Sequence, residues 1–232
     1  MIKKKKILVV VPARGGSKGI PLKNLKKVGG YTLIARVGLL VKKIRGLDRV
    51  IVSTDNEKIA EEAEKFGISA PFKRPKKLSG DYISDFQVLS HALKLVETID
   101  REQYDIILML QPTSPLRTVK HIKKIISMLI DQKCDSVWTV SKTDSKSHPL
   151  KQLIIKDNII DYYDDEGASI IARQQLEQVY HRNGIAYAMT RSCLVDQKTI
   201  KGKKTGAYIV EESHVSIDTI NDLKLAEFFL KK

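Results

Sequence analysis

Apolar, β-branched runs that alternate with amphipathic segments limit this chain to few folds. Four runs have the length and composition of buried strands, at residues 7–11, 49–53, 105–110 and 136–140. Between them, apolar residues recur at three- and four-residue steps, which predicts helices at 32–44, 56–66, 84–98 and 119–132. This β-α-β-α order predicts an α/β fold: a mostly parallel, Rossmann-like sheet flanked by helices.

Three helix ends carry capping signals. Asp55 is predicted to be the N-cap of the second helix and Gly67 its C-cap. A closing helix near the end of the chain is predicted to begin at Thr219 or Asn221.

The alternating pattern changes after Ser141. Residues 143–190, approximately, contain short strand patterns around a turn at 156–158 and a further apolar strand at 185–189. We predict an inserted β-rich arm that packs on a second subunit, which would make the protein a homodimer. The chain then returns to its main body, so residues 1–232 are predicted to form a single domain.

The net charge of the chain favours acidic binding partners. Lysine and arginine number 41 against 27 acidic residues, giving a net charge of +14. Nucleic acids, nucleotides and acidic sugars all fit such a charge, and a lysine-rich solvated surface accounts for it as well. Aromatic residues make up 6% of the chain, and no basic stretch is interleaved with them. This disfavours a protein that binds single-stranded nucleic acid by base stacking.

Two further features bear on location. No stretch approaches the roughly 20 apolar residues of a membrane span. Cys134 and Cys193 lack the C-x-x-C spacing of zinc sites and are too few for a disulfide framework. We therefore expect a cytoplasmic protein without a membrane partner.

A glycine-rich loop, "ARGGSKGIPLKN" at 13–24, follows the first predicted strand. Its spacing matches neither the Walker A loop nor G-x-G-x-x-G. Adjacent glycines can expose backbone N–H groups to an anion, and Arg14, Lys18 and Lys23 add positive charge. Ligands of such sheets lie at the carboxyl ends of the strands, where this loop, "STD" and "QPTSPLR" all fall. The pattern predicts a phosphate site; a tight turn with surface lysines is the alternative.

Several motifs in order resemble the acylneuraminate cytidylyltransferase (CMP-sialic acid synthetase) family, including its legionaminic and pseudaminic acid-activating members. The resemblance covers nearly the whole chain. It rests on "PARGGSKGIPLKN" (12–24), "VIVSTD" (50–55), "KRPKKLSGD" (73–81), "HAL" (91–93), "LQPTSPLRT" (110–118), "HPLK" (148–151), "RQQL" (173–176), "YHRNGIAY" (180–187) and "SIDT" (216–219).

The resemblance implies an enzyme with a nucleotide-diphospho-sugar transferase-like fold. Its substrates would be CTP and an acidic nine-carbon 2-keto-3-deoxy sugar: N-acetylneuraminic, legionaminic or pseudaminic acid. The anomeric hydroxyl of the sugar would attack the α-phosphate, giving the CMP-sugar and pyrophosphate, with Mg²⁺ as cofactor. Such a transfer depends on positioning and on cations more than on covalent chemistry.

The same resemblance implies roles for individual residues. The nucleotide would be bound by Arg14, Gly15, Gly16, Ser17, Lys23, Asn24, Arg74 and Ser84. The sugar would be bound by Gln111, Lys151, Arg173, Asn183 and Tyr187. The catalytic residues would be Arg14, Lys23, Gln111 and Asp218, with Asp218 also holding the metal.

Structural alternatives exist for some of these residues. Ser84 also suits the N-cap of the helix that starts there, and Tyr187 suits a packed position in a strand. His148 and His181 are predicted to be structural or solvent-facing rather than catalytic.

One position departs from the family pattern. Many members read Asp-Ile-Asp-Thr where this chain reads Ser216-Ile217-Asp218-Thr219, so one of two metal-binding carboxylates is replaced. Magnesium needs only one or two carboxylates when substrate phosphates and water complete its shell. Asp222 is an alternative second ligand, or simply part of the first turn of the closing helix. The general base is left open between a metal-bound hydroxide and simple orientation of the hydroxyl by Gln111.

Three other functions remain alternatives at this point. Ketodeoxyoctonate cytidylyltransferases have a similar opening loop. A non-catalytic, basic nucleic-acid-binding domain would explain the charge. A relative that senses sugar nucleotides without turnover would explain Ser216.

Overall fold

The computed structural model describes residues 1–231 and gives them a three-layer α/β architecture. The strands are β1 (Ile7–Pro12), β2 (Lys27–Val28), β3 (Tyr31–Thr32), β4 (Arg49–Ser53), β5 (Ile106–Met109), β6 (Ser136–Lys142), β7 (Leu153–Lys156), β8 (Ile159–Tyr162), β9 (Tyr180–Thr190) and β10 (Thr205–Ile209). The α-helices are α1 (Leu33–Val41), α2 (Glu57–Lys65), α3 (Asp85–Asp100), α4 (Val119–Asp131), α5 (Arg191–Val195) and α6 (Ile220–Leu230).

The central sheet has the strand order β10-β6-β9-β5-β1-β4. Strand β1 is parallel to both β4 and β5, and β10 is parallel to β6. Only β9, among the strands that the structure describes in this sheet, runs antiparallel to its neighbours β5 and β6. The predicted mostly parallel sheet is confirmed.

Side chains of β1 alternate between the two faces of the sheet. Ile7, Val9 and Val11 pack with α1, α2 and α4, whereas Leu8 and Val10 pack with α3 and α5. All five are fully buried, as expected for a central parallel strand covered by helices on both sides. This burial fixes the register of β1 and therefore the point at which the glycine-rich loop leaves the sheet.

The eight elements predicted in the first 140 residues are all present, with ends that differ by up to three residues. The cap of α2 differs from the prediction: Asn56, not Asp55, accepts the hydrogen bond from Ile59 N. Asp55 instead accepts one from Gly15 N, because its carboxylate points back to the loop after β1. Gly67, with φ of +82°, lies one residue beyond the C-cap of α2.

The arm is shorter than predicted. Strand β9 includes the predicted strand at 185–189, but it lies between β5 and β6 in the central sheet. Its apolar residues are buried there, so β9 belongs to the main body, and the segment outside the sheet spans about 143–179. That segment holds the β7–β8 hairpin, whose turn at Asp157 and Asn158 was predicted. The assignment of the whole chain to one domain stays a prediction.

One face of the hairpin is apolar and exposed. Leu153 and Ile155 on β7 lie opposite Tyr162 and Ile160 on β8, and their exposed fractions range from 41% to 69%. Large apolar side chains grouped on one exposed sheet face are typical of interaction surfaces. Among the described residues, no helix is long and apolar enough to cross a membrane.

Candidate active site

A cleft of about 610 Å³ lies at the carboxyl ends of β1 and β5. Four segments meet there: the loop after β1, residues 74–88, the loop after β5, and the turn before α6. Its lining residues are Pro12, Arg14, Ser17, Lys18, Gly19, Lys23, Asn24, Arg74, Leu78, Gly80, Asp81, Ile83, Asp85, Val88, Gln111, Pro112, Thr113, Ser216 and Asp218. Seven of the predicted site residues are in this set, although their individual roles stay predictions: Arg14, Ser17, Lys23, Asn24, Arg74, Gln111 and Asp218.

Internal hydrogen bonds hold the glycine-rich loop in place. Gly15 N donates to Asp55 Oδ1 at 2.9 Å, and the buried Asn24 donates from Nδ2 to the carbonyl of Arg14 at 3.0 Å. The amide of Gly15 is therefore engaged by the protein and not directed at an anion. Gly16 lies beside it in the loop, but neither glycine lines the cleft. The main contribution of the loop to the cleft is therefore its cationic side chains, and not backbone amides that could bind an anion.

Cations at the mouth of the cleft are paired with two carboxylates. Asp81 contacts Arg14 Nη1 at 2.8 Å and Lys18 Nζ at 2.6 Å, and Lys23 Nζ lies 2.8 Å from Asp218 Oδ1. Hydrogen bonds from Lys18 and Arg14 lower the pKa of Asp81. If a polyphosphate entered the cleft, its oxygens would replace these carboxylates as the acceptors for Arg14, Lys18 and Lys23.

Arg74 is the cation with the most unusual surroundings. Its side chain is only 4% exposed, and Nε and Nη2 are buried without a hydrogen-bond partner among residues 1–231. Desolvation lowers the pKa of Arg74, an effect that Asp55 opposes and Arg14 reinforces. A buried, unpaired guanidinium in a cleft is costly, so it indicates a site that is completed by a ligand with acceptor atoms.

Gln111 is fixed at the junction of β5 and β9. The buried Arg117 donates to the carbonyl of Gln111 from Nη2 at 2.6 Å, and to the carbonyls of Gly184 and Ile185. Gly184 has φ of +69°, and a Cβ there would lie 2.7 Å from Gln111 Oε1. Glycine is thus required at 184 for the amide of Gln111 to keep its place.

The structure uses two predicted sugar-binding residues internally. Asn183 is buried, and its amide bonds Thr139 and Ser141. Tyr187 is buried against Trp138, and its hydroxyl accepts from Gly184 N at 3.0 Å. Neither side chain lines the cleft, so any contact with a ligand would need a different arrangement from the one seen.

The remaining predicted residues lie outside the cleft lining. Lys151 and Arg173 are exposed on the arm. Ser84 caps α3 in a capping box with Gln87, which is the structural alternative recognised from the sequence. His148 is buried in the arm and bonds Leu150 N and the Glu177 carbonyl.

The turn before α6 carries Ser216 and Asp218 into the cleft. Ile217 between them is fully buried, and its N–H donates to Thr113 O at 2.8 Å. Gly19 approaches so closely that a Cβ would lie 2.7 Å from the Asp218 carbonyl oxygen. The segment is therefore held between the loops that follow β1 and β5.

Asp222 is occupied by capping. Its Oδ2 accepts hydrogen bonds from Asp218 N, Thr219 N and Thr219 Oγ1, and Thr219 is the N-cap of α6. Asp222 therefore caps α6 through Oδ2. Within residues 1–231 no group of three histidine, cysteine or acidic side chains is arranged to hold a metal. The carboxylate of Asp218 alone fits a magnesium ion whose other ligands are phosphate oxygens and water.

Sequence reasoning missed two carboxylates of the cleft. Asp81 and Asp85 both line it, on either side of the exposed Tyr82. The motif "KRPKKLSGD" did include Asp81, but its ion pairs with the glycine-rich loop depend on how residues 74–88 fold over the sheet. Asp85 carried no signal beyond its place in the first turn of a helix.

The sheet and its flanking helices have a counterpart among solved structures. The solved CMP:2-keto-3-deoxy-manno-octonic acid synthetase complexed with CTP has the same fold, with a TM-score of 0.71 at 17% identity over 97% of this chain and 98% of that one.

The family profile described as Cytidylyltransferase matches residues 8–231. The chain therefore belongs to the cytidylyltransferase family and is a nucleotidyltransferase enzyme. It is 30% identical to the pseudaminic acid cytidylyltransferase of Campylobacter jejuni over 228 residues, 97% of each chain. It is 28% identical to the CMP-N,N'-diacetyllegionaminic acid synthase of Campylobacter jejuni over 225 residues, 97% of this chain and 94% of that protein. The resemblance noted from the sequence is confirmed.

Proposed function

We propose that this protein transfers CMP from CTP to the anomeric hydroxyl of an acidic nine-carbon 2-keto-3-deoxy sugar and releases pyrophosphate. One observation carries the proposal: Arg14, Lys18, Lys23 and the unpaired, buried Arg74 converge on one cleft that Gln111 also lines. Two anionic substrates need such a concentration of cations. Relatives that match the chain over nearly its full length are named for pseudaminic and legionaminic acids.

The geometry suggests how the chain's residues divide the work. Arg14, Lys18 and Lys23 lie at the mouth, where they would bind the β- and γ-phosphates and stabilise the charge of leaving pyrophosphate. Arg74, which is buried in the cleft, would donate a hydrogen bond to an acceptor atom of the nucleotide. Gln111, locked by Arg117, would orient the sugar hydroxyl towards the α-phosphorus.

Magnesium is part of this proposal. When bound, the ion would neutralise phosphate charge and orient the triphosphate. Asp218 is the residue that would hold it, with the hydroxyl of Ser216 two residues away on the same turn. Lys23, which pairs with Asp218, would then move its ammonium group to the phosphates.

A homodimer is proposed as the working form. The apolar face of the hairpin, formed by Leu153, Ile155, Ile160 and Tyr162, is exposed in a single chain. A second copy would bury it. Dimerisation would also give the exposed Lys151 and Arg173 on the arm a route to a sugar carboxylate bound by the other subunit.

A cytoplasmic location is proposed as well. The two cysteines, Cys134 and Cys193, are free thiols, which fits a reducing compartment.

An eight-carbon sugar acid is the second candidate, because the CMP:2-keto-3-deoxy-manno-octonic acid synthetase shares the fold. The experiment that tests the proposal is pyrophosphate release from CTP and magnesium, with N-acetylneuraminic, legionaminic, pseudaminic and ketodeoxyoctonic acids offered separately. Release with a nine-carbon acid supports the first candidate. Release with ketodeoxyoctonic acid alone supports the second.

A further inference from the structure

Three carboxylates line the cleft within the described residues, and they differ in their partners. Asp81 is held by Arg14 and Lys18, and Asp218 by Lys23. Asp85 has neither a hydrogen bond nor an ion pair to its carboxylate from any group in residues 1–231. A carboxylate that lines a substrate cleft and has no protein partner is free to accept a hydrogen bond or a proton from a ligand.

The surroundings of Asp85 combine burial with one nearby cation. It is the first residue of α3, next to the Ser84–Gln87 capping box. Desolvation raises the pKa of Asp85, and the charge of Arg182 on β9 opposes that rise. Tyr187, on the same strand, is also close enough for the charge of Asp85 to contribute to the raised pKa of its hydroxyl, which is due mainly to burial.

Arg182 is held in place by an aromatic ring. Its guanidinium carbon lies 5.4 Å from the centre of the Trp138 ring, a cation–π geometry. The cations that line the cleft mostly have anionic partners of their own: Arg14 and Lys18 pair with Asp81, and Lys23 pairs with Asp218. Arg74 is the exception, and it lies in the same cleft lining.

We propose that Asp85 is the proton acceptor of the reaction. This inference rests on the proposed function. As the anomeric oxygen of the sugar bonds to the α-phosphorus of CTP, its proton passes to the Asp85 carboxylate. The bond from the α-phosphorus to the bridging oxygen breaks, and pyrophosphate leaves with that electron pair. Asp85 then loses the proton to solvent.

Other candidate bases are less suitable. Hydrogen bonds from Lys18 and Arg14 lower the pKa of Asp81, which weakens it as a base. Asp218 is paired with Lys23 and is the proposed metal ligand. Asp222 accepts three capping hydrogen bonds. His91 has a buried Nδ1 and does not line the cleft. A carboxyl whose proton affinity is raised by burial is better matched to accepting a proton near neutral pH.

The test compares Asp85→Asn with Asp85→Glu in single-turnover reactions with excess enzyme, CTP, magnesium and the sugar that the wild type uses. We expect Asp85→Asn to slow the chemical step by roughly 10²- to 10⁴-fold while the CTP dissociation constant changes less than about threefold. The wild-type rate should fall at acid pH, and Asp85→Asn should lose that dependence. Asp85→Glu should restore part of the rate. Asp81→Asn, the matched control in the same cleft, should still show the fall in rate at acid pH.

A chemical-step rate in Asp85→Asn equal to the wild type, or an unchanged acid limb, would overturn the inference while the proposed function stands. Equal losses of CTP binding in both Asp85 variants would also overturn it, because they indicate a structural role. If the wild type releases no pyrophosphate with any sugar acid, the proposed function fails first and the inference fails with it.

A melting experiment separates chemistry from folding. Removing a desolvated carboxylate should leave Asp85→Asn with a melting temperature at pH 7 equal to or above that of the wild type. That advantage should shrink as pH falls from the raised pKa of the folded Asp85 carboxyl to the ordinary aspartate pKa, because over this range the folded wild type binds a proton that the unfolded chain does not. A clear loss of stability at pH 7 would contradict the inference, since the carboxylate would then have a stabilising partner.

Discussion

Lys23 Nζ and Asp218 Oδ1 lie 2.8 Å apart and join two segments 195 residues apart in the sequence. Lys23 is largely covered, with 16% of its side chain exposed, whereas Asp218 is 71% exposed. The pair ties the glycine-rich loop to the turn before α6 across the mouth of the cleft. It places the proposed phosphate-binding cation next to the proposed metal ligand.

Changing either member of this pair should give different kinetics. Asp218→Asn should reduce turnover on the order of 10²-fold or more and raise the magnesium concentration needed, because a metal-binding carboxylate is lost. Lys23→Met should mainly raise the KM for CTP. Steady-state kinetics across a magnesium titration distinguish the two. If Asp218→Asn works normally at low magnesium, Asp218 is not the principal ligand.

Arg74→Met should separate binding from stability. Loss of a charged hydrogen-bond donor should weaken CTP binding by roughly 10- to 100-fold. The free energy of unfolding should not fall, because a buried guanidinium with two unpartnered nitrogens has been removed. Calorimetric CTP titration and urea denaturation measure the two effects. Normal CTP affinity in this variant would show that Arg74 does not bind the nucleotide. The control is Lys77→Met, which changes a nearby lysine outside the cleft lining.

Gly184→Ala should damage the position of Gln111. The positive φ and the 2.7 Å approach to Gln111 Oε1 both disfavour a Cβ, at a cost of roughly 1–3 kcal/mol in stability. Turnover should fall more than CTP affinity, since Gln111 is proposed to orient the sugar. Gly30→Ala also has a positive φ but open space around it, so it controls for backbone strain alone. Equal kinetic effects of the two changes would show that the contact with Gln111 is unimportant.

The hairpin should control the oligomeric state. The double variant Ile155→Asp and Ile160→Asp places charges on the exposed apolar face and should convert a dimer to a monomer at micromolar concentration. Lys156→Asp changes charge on the opposite face of β7 and should leave the dimer intact. Light scattering of the three proteins measures this directly. A wild-type monomer at that concentration would contradict the proposed dimer.

Acid should destabilise the protein through its histidines. Burial lowers the pKa of His91, His121 and His214 below the ordinary value of 6.5. Below that value the unfolded chain takes up protons that the folded chain does not, so stability falls as pH drops from 7 towards 5. Urea denaturation at several pH values should show this fall. His121→Gln should reduce it; an unchanged pH dependence would mean that His121 takes no part.

The sequence predicted the sheet and its flanking helices because their apolar periodicities are local. Strand β9 was misplaced because its membership in the central sheet depends on pairing with β5 and β6, which no local pattern encodes. Asp55 was misassigned for a similar reason: Asp55 and Asn56 both suit an N-cap, and the loop after β1 decides between them.

In the site, too, local patterns were predictable and long-range contacts were not. Motifs at strand ends pointed to the glycine-rich loop and Gln111, and the family resemblance pointed to Arg74 and Asp218. Arg14, Ser17, Lys23 and Asn24 of the loop line one cleft with these three residues. The ion pairs of Asp81 and the isolation of Asp85 arise from the path of residues 74–88 over the sheet, so composition and spacing carried no signal for them. Asn183 and Tyr187 matched motif positions, yet their polar atoms bond within the protein.

The proposed CMP transfer is tested most directly by measuring CTP-dependent pyrophosphate release with the panel of sugar acids, in parallel with ATP, GTP and UTP. Pyrophosphate release is expected with CTP and a nine-carbon 2-keto-3-deoxy acid, and it should depend on magnesium and be lost in Asp218→Asn. Measurable CTP binding without release for any sugar acid would contradict the proposed transferase and favour a nucleotide-sensing relative that has lost turnover.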